Sequence, residues 1–348
     1  MVEVWFALLG ITLILFAVLD GWNIGAGLVH FAVATTARER REAMAALGPF
    51  WSWHEVWLIA AGGTFLLAFP RTMGVAFSGF YLALWLAVWA FILRGIAIEV
   101  AAHIDDTLWQ SAWDFTFAAA SLLLALVFGV ALGNVIRGVP LEAGGTFSLS
   151  FFTDFKVTGR VGLFDWYTVS VAGFTAVLLA AHGATYLALE ANGAVQERSA
   201  QWARGLWLAA LALFLVITVE TWIVRPELFE AVRGRPLAWL ACAAVGAGAW
   251  MLWTARRGHR HIRALAGSST VIAGLLSATG ASVFPIMLRS TIAPEHSLTA
   301  YAGAAPAYGL TLALFWWPVA AVLSFVYVAV VMRGYRQRHF VRANSGSQ

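Results

Sequence analysis

The chain runs to 348 residues, of which 61% are hydrophobic and only 11% charged, with a mean hydropathy of +0.78. Soluble globular domains carry about 25% charged residues, so this composition excludes a water-soluble protein; the formal net charge of +4, from 22 basic and 18 acidic residues, reads as loop asymmetry across a membrane and not as a nucleic-acid surface. The one cysteine, Cys242, excludes a disulfide framework, a Cys-rich zinc site and a Cys-x-x-Cys-His haem attachment.

A hydrocarbon core roughly 30 Å thick takes about 20 apolar residues per helix. Stretches of that kind fall at 4–33, 51–69, 75–99, 112–135, 162–189, 204–224, 237–255, 264–288 and 306–332. They are continuously apolar and do not alternate, which excludes a β-barrel. The prediction is an all-α membrane protein, a polytopic bundle of about nine transmembrane helices forming a single domain over 1–348. Met1 to Phe6 carry Glu3 and no basic residue, so the first apolar segment is expected to be retained and not cleaved. Thirteen basic residues fall on the side opposite the N-terminus and eight on its own side, with Arg94 inside a span. By the positive-inside rule the N-terminus is outside and the C-terminus cytoplasmic. The longest connection, 136–161, contains Gly144-Gly145, Phe151-Phe152 and Lys156, and reads as an interfacial loop or as a cover for a partner; Arg342 to Gln348 form a short polar tail expected to be disordered.

Ionisable residues inside a span are expensive and point to function by default. Asp20 lies deep in the first span, in VLDGWNIGAG (18–27), three residues before Asn23, and Gly21 with Gly25 forms a small-xxx-small pair that admits a neighbouring helix. Two roles are open for Asp20: a structural hydrogen-bonding pair with Asn23, or a stop on a proton path. The second span opens in GPFWSWHEVWLIAAGG (48–63), where Trp51, Ser52 and Glu55 at i, i+1 and i+4 project over one face and His54 points aside. Trp51, Trp53 and Trp57 read as an interfacial belt and packing wedge. A carboxyl held away from water is readily neutralised by a proton, so Glu55 is a relay candidate, against a plain interfacial glutamate satisfied by another helix.

Arg94 and Glu99 stand five apart, about 140° around a helix. Arg94 is therefore expected to pair with Asp20 or Glu55 on another helix, or to snorkel. His182, in AAHGATYLALE (180–190), and His54 are candidate haem ligands, with hydrogen-bonded packing as the plainer role. Glu220 and Arg225 read as a local ion pair. Pro285 ends the eighth span, Arg289 sits at its boundary, and Ser297 is a candidate cap. The sequence holds no nucleotide loop, nucleophilic triad or clustered metal site, so catalysis by this chain alone has no support.

Taken in order, VLDGWNIGAG (18–27), GPFWSWHEVWLIAAGGTFLLAFP (48–70), FSGFYLALWL (77–86), ILRGIAIE (92–99), FGVALGNVIRGVPL (128–141), HGATYLALEANG (182–193) and FP with SLTAY (284–301) resemble subunit II of the cytochrome bd-type quinol oxidase family. The resemblance covers essentially the whole chain. It implies a multi-pass subunit of the bacterial cytoplasmic (inner) membrane, without haem of its own, paired with a haem-bearing subunit I that carries haems b and d, oxidises quinol and reduces oxygen. For this chain it implies assembly, binding of an accessory quinone, contact with membrane lipid, room for a small accessory subunit, and part of a cytoplasmic proton path at the subunit interface. The residues this places on the path are Asp20, Asn23, Ser52 and Glu55, with Arg94, Glu99, Trp51 and Trp57 as structural or ion-pairing companions.

The chain departs from the family's pattern at identifiable positions. The family's first helix usually has a second carboxylate where this chain has Asn23, and its second helix an aspartate where this chain has Ser52. Arg289 stands where proline is common, and Gly303 where Asp or Asn is usual. Serine relays hydrogen bonds but holds no charge, so Glu55, His54 or a different route is open for the proton. Two other classes compete: a structural anchor that conducts no protons, and a transporter, for which paired inverted repeats are not evident.

Overall fold

The computed structural model describes residues 1–47, 51–101, 103–157, 159, 161–255 and 260–345, with side chains in this set apart from those of 328 and 331–345. Residues 48–50 of the second motif, Arg160, Arg256, Arg257 and 346–348 of the predicted tail lie outside the described residues, as do the side chains of Arg333, Arg336, Arg338 and Arg342. The described part of the tail, as far as Ser345, continues the last helix.

Eight helices among the described residues are long and apolar enough to cross a membrane. They are α1 (Val2–Val33), α5 (Tyr81–Val100), α6 (Thr107–Arg137), α7 (Trp166–Glu190), α8 (Gly193–Val224), α10 (Pro236–Ala255), α11 (His261–Val283) and the 307–327 part of α13 (Ala307–Ser345). A ninth passes that test as a bent pair, α3 (Trp51–Ala68) and α4 (Pro70–Gly79), which meet at 120°. Pro70 at the first position of α4 contributes no N–H, and Phe69 adopts a non-helical φ of −135°. The predicted third span therefore starts late: 75–79 belongs to α4, and the span proper begins at Tyr81.

The predicted eighth span also shortens. Helix α11 ends at Val283, and beyond the cis Phe284–Pro285 bond β1 (Ile286–Leu288) pairs antiparallel with β2 (Leu298–Thr299). Ser297 is not the cap expected of it. Its Oγ accepts from the Ser290 N–H, and Thr299 caps α12 (Ala300–Gly303) by accepting from the Ala302 N–H.

Helix α1 lies at the centre, flanked by α3, α6, α7 and α11. Its approach to α7 is set by glycine: a Cβ on Gly25 would run into the Leu179 carbonyl and the Gly183 N–H, and one on Gly183 into the backbone of Gly25 and Ala26. Helices α10 and α11 form a hairpin that reaches the centre through α11.

Polar locks close both ends. At one, α2 (Ala37–Leu47) is tied down by Arg40 Nε on Asp114 Oδ2 at 2.6 Å, with His30 Nε2 on Asp114 Oδ1 at 2.9 Å, and by Glu39, which receives Arg198 of α8 at 2.5 Å. At the other, Arg137 pairs with Asp165, the residue whose carboxylate also caps α7 through the N–H groups of Tyr167 and Thr168. Arg225 there reaches Glu227 Oε1 at 3.0 Å and the Ile136 carbonyl at 2.8 Å, and Arg289 joins Glu227 at 3.2 Å. The expected Glu220–Arg225 pair is absent. The two are five apart and point away from each other, and Glu220 accepts instead from Ser170 Oγ at 3.0 Å.

Candidate functional site

The buried charges converge between α1, α3 and α5. A single guanidinium nitrogen, Arg94 Nη2, donates to Asp20 Oδ1 at 2.8 Å and to Glu55 Oε1 at 2.5 Å. Asp20 and Arg94 are fully shielded, whereas the Glu55 side chain keeps 23% of its surface open. Asp20 Oδ1 also accepts from Asn23 Nδ2 at 2.8 Å, and the same amide lies 2.9 Å from His54 Nδ1. An amide nitrogen only donates, so His54 accepts at Nδ1 in its neutral form with the proton on Nε2.

Each position follows from local sequence. Helix α3 buries His54, Trp57, Ala61, Thr64 and Ala68, a 3-4-3-4 spacing that forms one stripe against α1. His54 thus points inward to Asn23, off the side of α3 that exposes Ser52. Ser52 is exposed, Trp51 lies against Gly95 of α5, and Trp57 is buried with its ring 5.6 Å from that of Phe325. Glu99 is exposed and makes no ion pair among the described residues. Trp22 roofs the cluster, stacked on Tyr186 at 5.0 Å and edge-on to His54 at 5.2 Å.

The charge count decides the chemistry. Two carboxylates around one guanidinium leave one formal negative charge in excess, and burying it without a counter-charge costs several kcal/mol, ~3–5 by the effect of breaking buried pairs. One proton shared by the cluster removes that excess. Several buried atoms also lack a protein partner among the described residues: Asp20 Oδ2, Asn23 Oδ1, and Arg94 Nε and Nη1. An unpaired buried polar group costs about 1–3 kcal/mol, which internal water with two or more such neighbours offsets. A net-anionic, incompletely paired cluster with one open carboxylate is suited to taking up and passing on a proton.

The ring nitrogens of the candidate histidines are engaged by protein groups to different extents. Val18 O only accepts, so His182 donates to it from Nε2 at 2.9 Å, and Nδ1 accepts from Ser268 Oγ at 2.9 Å; both ring nitrogens are spent. His54 holds Asn23. Among the described residues no three His, Cys, Asp or Glu side chains are grouped to hold a metal ion. Sequence reasoning missed the Asn23–His54 link and the His30–Asp114–Arg40 lock; the 3-4-3-4 stripe of α3 was the available signal for the first.

Comparison with known proteins gives a consistent result. The family model described as "Cytochrome bd terminal oxidase subunit II" matches residues 1–334. The chain is 28% identical to a "Probable cytochrome oxidase subunit 2" of Haemophilus influenzae, over 93% of this chain and 91% of that one. It is 29% identical to the "Cytochrome bd-I ubiquinol oxidase subunit 2" of Escherichia coli K12, over 92% and 89%. Its fold matches a chain of the bd oxidase from Geobacillus thermodenitrificans with a TM-score of 0.71 at 17% identity, covering 96% of this chain and 98% of that one.

Proposed function

The chain belongs to the cytochrome bd terminal oxidase subunit II family, a subunit of an oxidoreductase complex, and from that premise we propose that it is the haem-free subunit that carries protons from the cytoplasmic side toward its haem-bearing partner. The observation behind this reading is the sharing of Arg94 Nη2 by Asp20 and Glu55. Glu55, the open carboxylate, exchanges the proton with its surroundings. Asp20, with Asn23 and His54 behind it, sets the charge against which that proton is held, and Arg94 fixes both carboxylates in place. Ser52, exposed at the start of α3, serves as an approach to Glu55 through water. The reading includes haems b and d in the partner subunit, an accessory quinone, contacts with lipid and with a small accessory subunit, and the inner membrane as location, with the N-terminus outside and the C-terminus cytoplasmic.

The test is the intact complex carrying Asp20→Asn or Glu55→Gln. Proton uptake linked to quinol-dependent oxygen consumption is expected to fall at least tenfold in Glu55→Gln. Unchanged uptake and turnover in both variants, with normal assembly, sinks the relay. The same geometry supports a second reading, an anchor that conducts no protons, because an arginine held by two carboxylates also pins α5 to α1 and α3. Under that reading both variants lose assembly while the turnover of the assembled fraction stays normal.

A further inference from the structure

A cleft of about 420 Å³ opens where α7, α8, α10 and α11 make their turns: α7 ends at Glu190, α8 begins at Gly193, α10 ends at Ala255 and α11 begins at His261. This is the same end of the bundle as α2, which Arg198 of α8 binds through Glu39. The cleft's floor is apolar, with Ala203 and Leu252 buried and the indole of Trp207 fixed by its N–H on Thr185 Oγ1 at 3.0 Å. Its rim is polar and cationic. Arg204 comes from α8 and Arg260 from the start of α11, with Gln196 and Gln201 beside them.

Neither arginine has a carboxylate partner among the described residues, although Glu197 lines the same cleft. Both are exposed, so each guanidinium is open to a ligand, unlike Arg40, Arg94, Arg137, Arg198 and Arg225, which are held by acids. Two guanidiniums from separate helix pairs thus line one cavity, and the planar fork of arginine suits a phosphate group. Immediately along α8 from the rim Leu208 and Leu211 are exposed, and along α10 Trp250, whose ring carries the Arg263 guanidinium 4.9 Å from its centroid. A headgroup seated between Arg204 and Arg260 therefore has acyl-compatible surface directly beside it, which a free inorganic anion would not use.

We infer that this cleft is a binding site for an anionic phospholipid, its phosphate held by Arg204 and Arg260 and its acyl chains lying along α8 and α10. Basic pockets between transmembrane helices take anionic headgroups, and each basic side chain near the surface contributes about fivefold in affinity, so the pair is expected to contribute about 25-fold.

The experiment uses the intact complex, depleted of lipid by detergent exchange and titrated with mixed micelles of phosphatidylglycerol or phosphatidylcholine, with retained lipid counted by native mass spectrometry. Phosphatidylglycerol is expected to be retained at about 25-fold lower concentration by the wild type than by R204Q/R260Q, with R204K/R260K intermediate and phosphatidylcholine indifferent to all three. Equal retention of phosphatidylglycerol by wild type and R204Q/R260Q overturns the proposal. Displacement of the lipid by inorganic phosphate at equal concentration also overturns it, in favour of a soluble-anion site. Should R204Q/R260Q fail to assemble, a photoactivatable phosphatidylglycerol on the wild-type complex decides: crosslinks within 196–207 or 260–264 support the site, and crosslinks only elsewhere overturn it.

Discussion

Arg94 determines what its two carboxylates can be. With a guanidinium nitrogen bonded to both, removing it strands Asp20 at zero exposure, and breaking a buried pair in this way costs about 3–5 kcal/mol. Arg94→Met is expected to lower the thermal unfolding midpoint of the purified complex sharply, and Arg94→Met with Asp20→Asn to recover more than half of the loss, because the stranded charge is then gone. No recovery in the double variant would show that Arg94 acts through packing alone. Much of this cluster was legible in the sequence: Asp20, Glu55 and Arg94 stand out because charge in an apolar span is expensive, and the spacing to Glu99 turns Arg94 toward other helices. What the sequence did not decide was the choice between Asp20 and Glu55, since one nitrogen serves both. It also left open that His54 faces α1. Angles around α3 relate its residues to one another but do not say which face meets α1; that is fixed by the buried stripe His54, Trp57, Ala61, Thr64 and Ala68.

Helices here are held by contacts that sequence pattern shows unevenly. The Gly21–Gly25 pair announces a close approach, and Gly25 indeed meets the backbone of α7 at Leu179 and Gly183. Gly25→Ala is expected to destabilise by about 3 kcal/mol, at the upper end of overpacking costs because backbone cannot rotate aside. Gly10→Ala, which meets nothing, should stay within about 0.5 kcal/mol; thermal unfolding in nanodiscs separates the two. The attachment of α2 is not announced, since Glu39 and Arg198 are 159 residues apart. The Thr36 and Thr35 N–H groups, together with the Thr35 hydroxyl and Arg198, hold the Glu39 carboxyl down from its ordinary 4.5 to about 2. A carboxyl depressed in the folded state stabilises it above the unfolded value and loses that contribution as pH falls from 4.5 toward 2. The amide protection factors of 37–47, exchange rates taken relative to the intrinsic rate at each pH, are therefore expected to be high at pH 7 and to fall across that window. Glu39→Gln should show low protection throughout, and an equal pH dependence of protection in the variant would refute the assignment. The break at Pro70 and the β1–β2 pair escaped the apolar count for one reason. Hydropathy averages over a window, while a missing N–H acts at a single residue.

The whole molecule leaves one polar group of this cluster facing outward. Glu55 keeps 23% of its side chain open in a helix whose neighbours Val56 and Ile59 are exposed, and α5 across from it shows Trp85, Val88 and Trp89. A carboxylate turned to hydrocarbon at a helix centre costs about 2.5–3.5 kcal/mol even on the lenient insertion scale, so the proposed partner subunit is expected to cover the α3–α5 face. The faces of α8 and α10, by contrast, expose Leu208, Leu211 and Leu240, apolar side chains suited to lipid contact. Cysteine scanning distinguishes the two faces, provided the exposed thiol of Cys242 is first removed as Cys242→Ala. In the intact complex, Ile59→Cys and Val88→Cys are expected to resist a membrane-permeant maleimide, and Leu208→Cys and Leu211→Cys to react at least tenfold faster. Protection of α8 with free reaction on α3 and α5 would place the haem-bearing partner on the opposite side, and would leave Glu55 without a protein neighbour to which it could pass a proton.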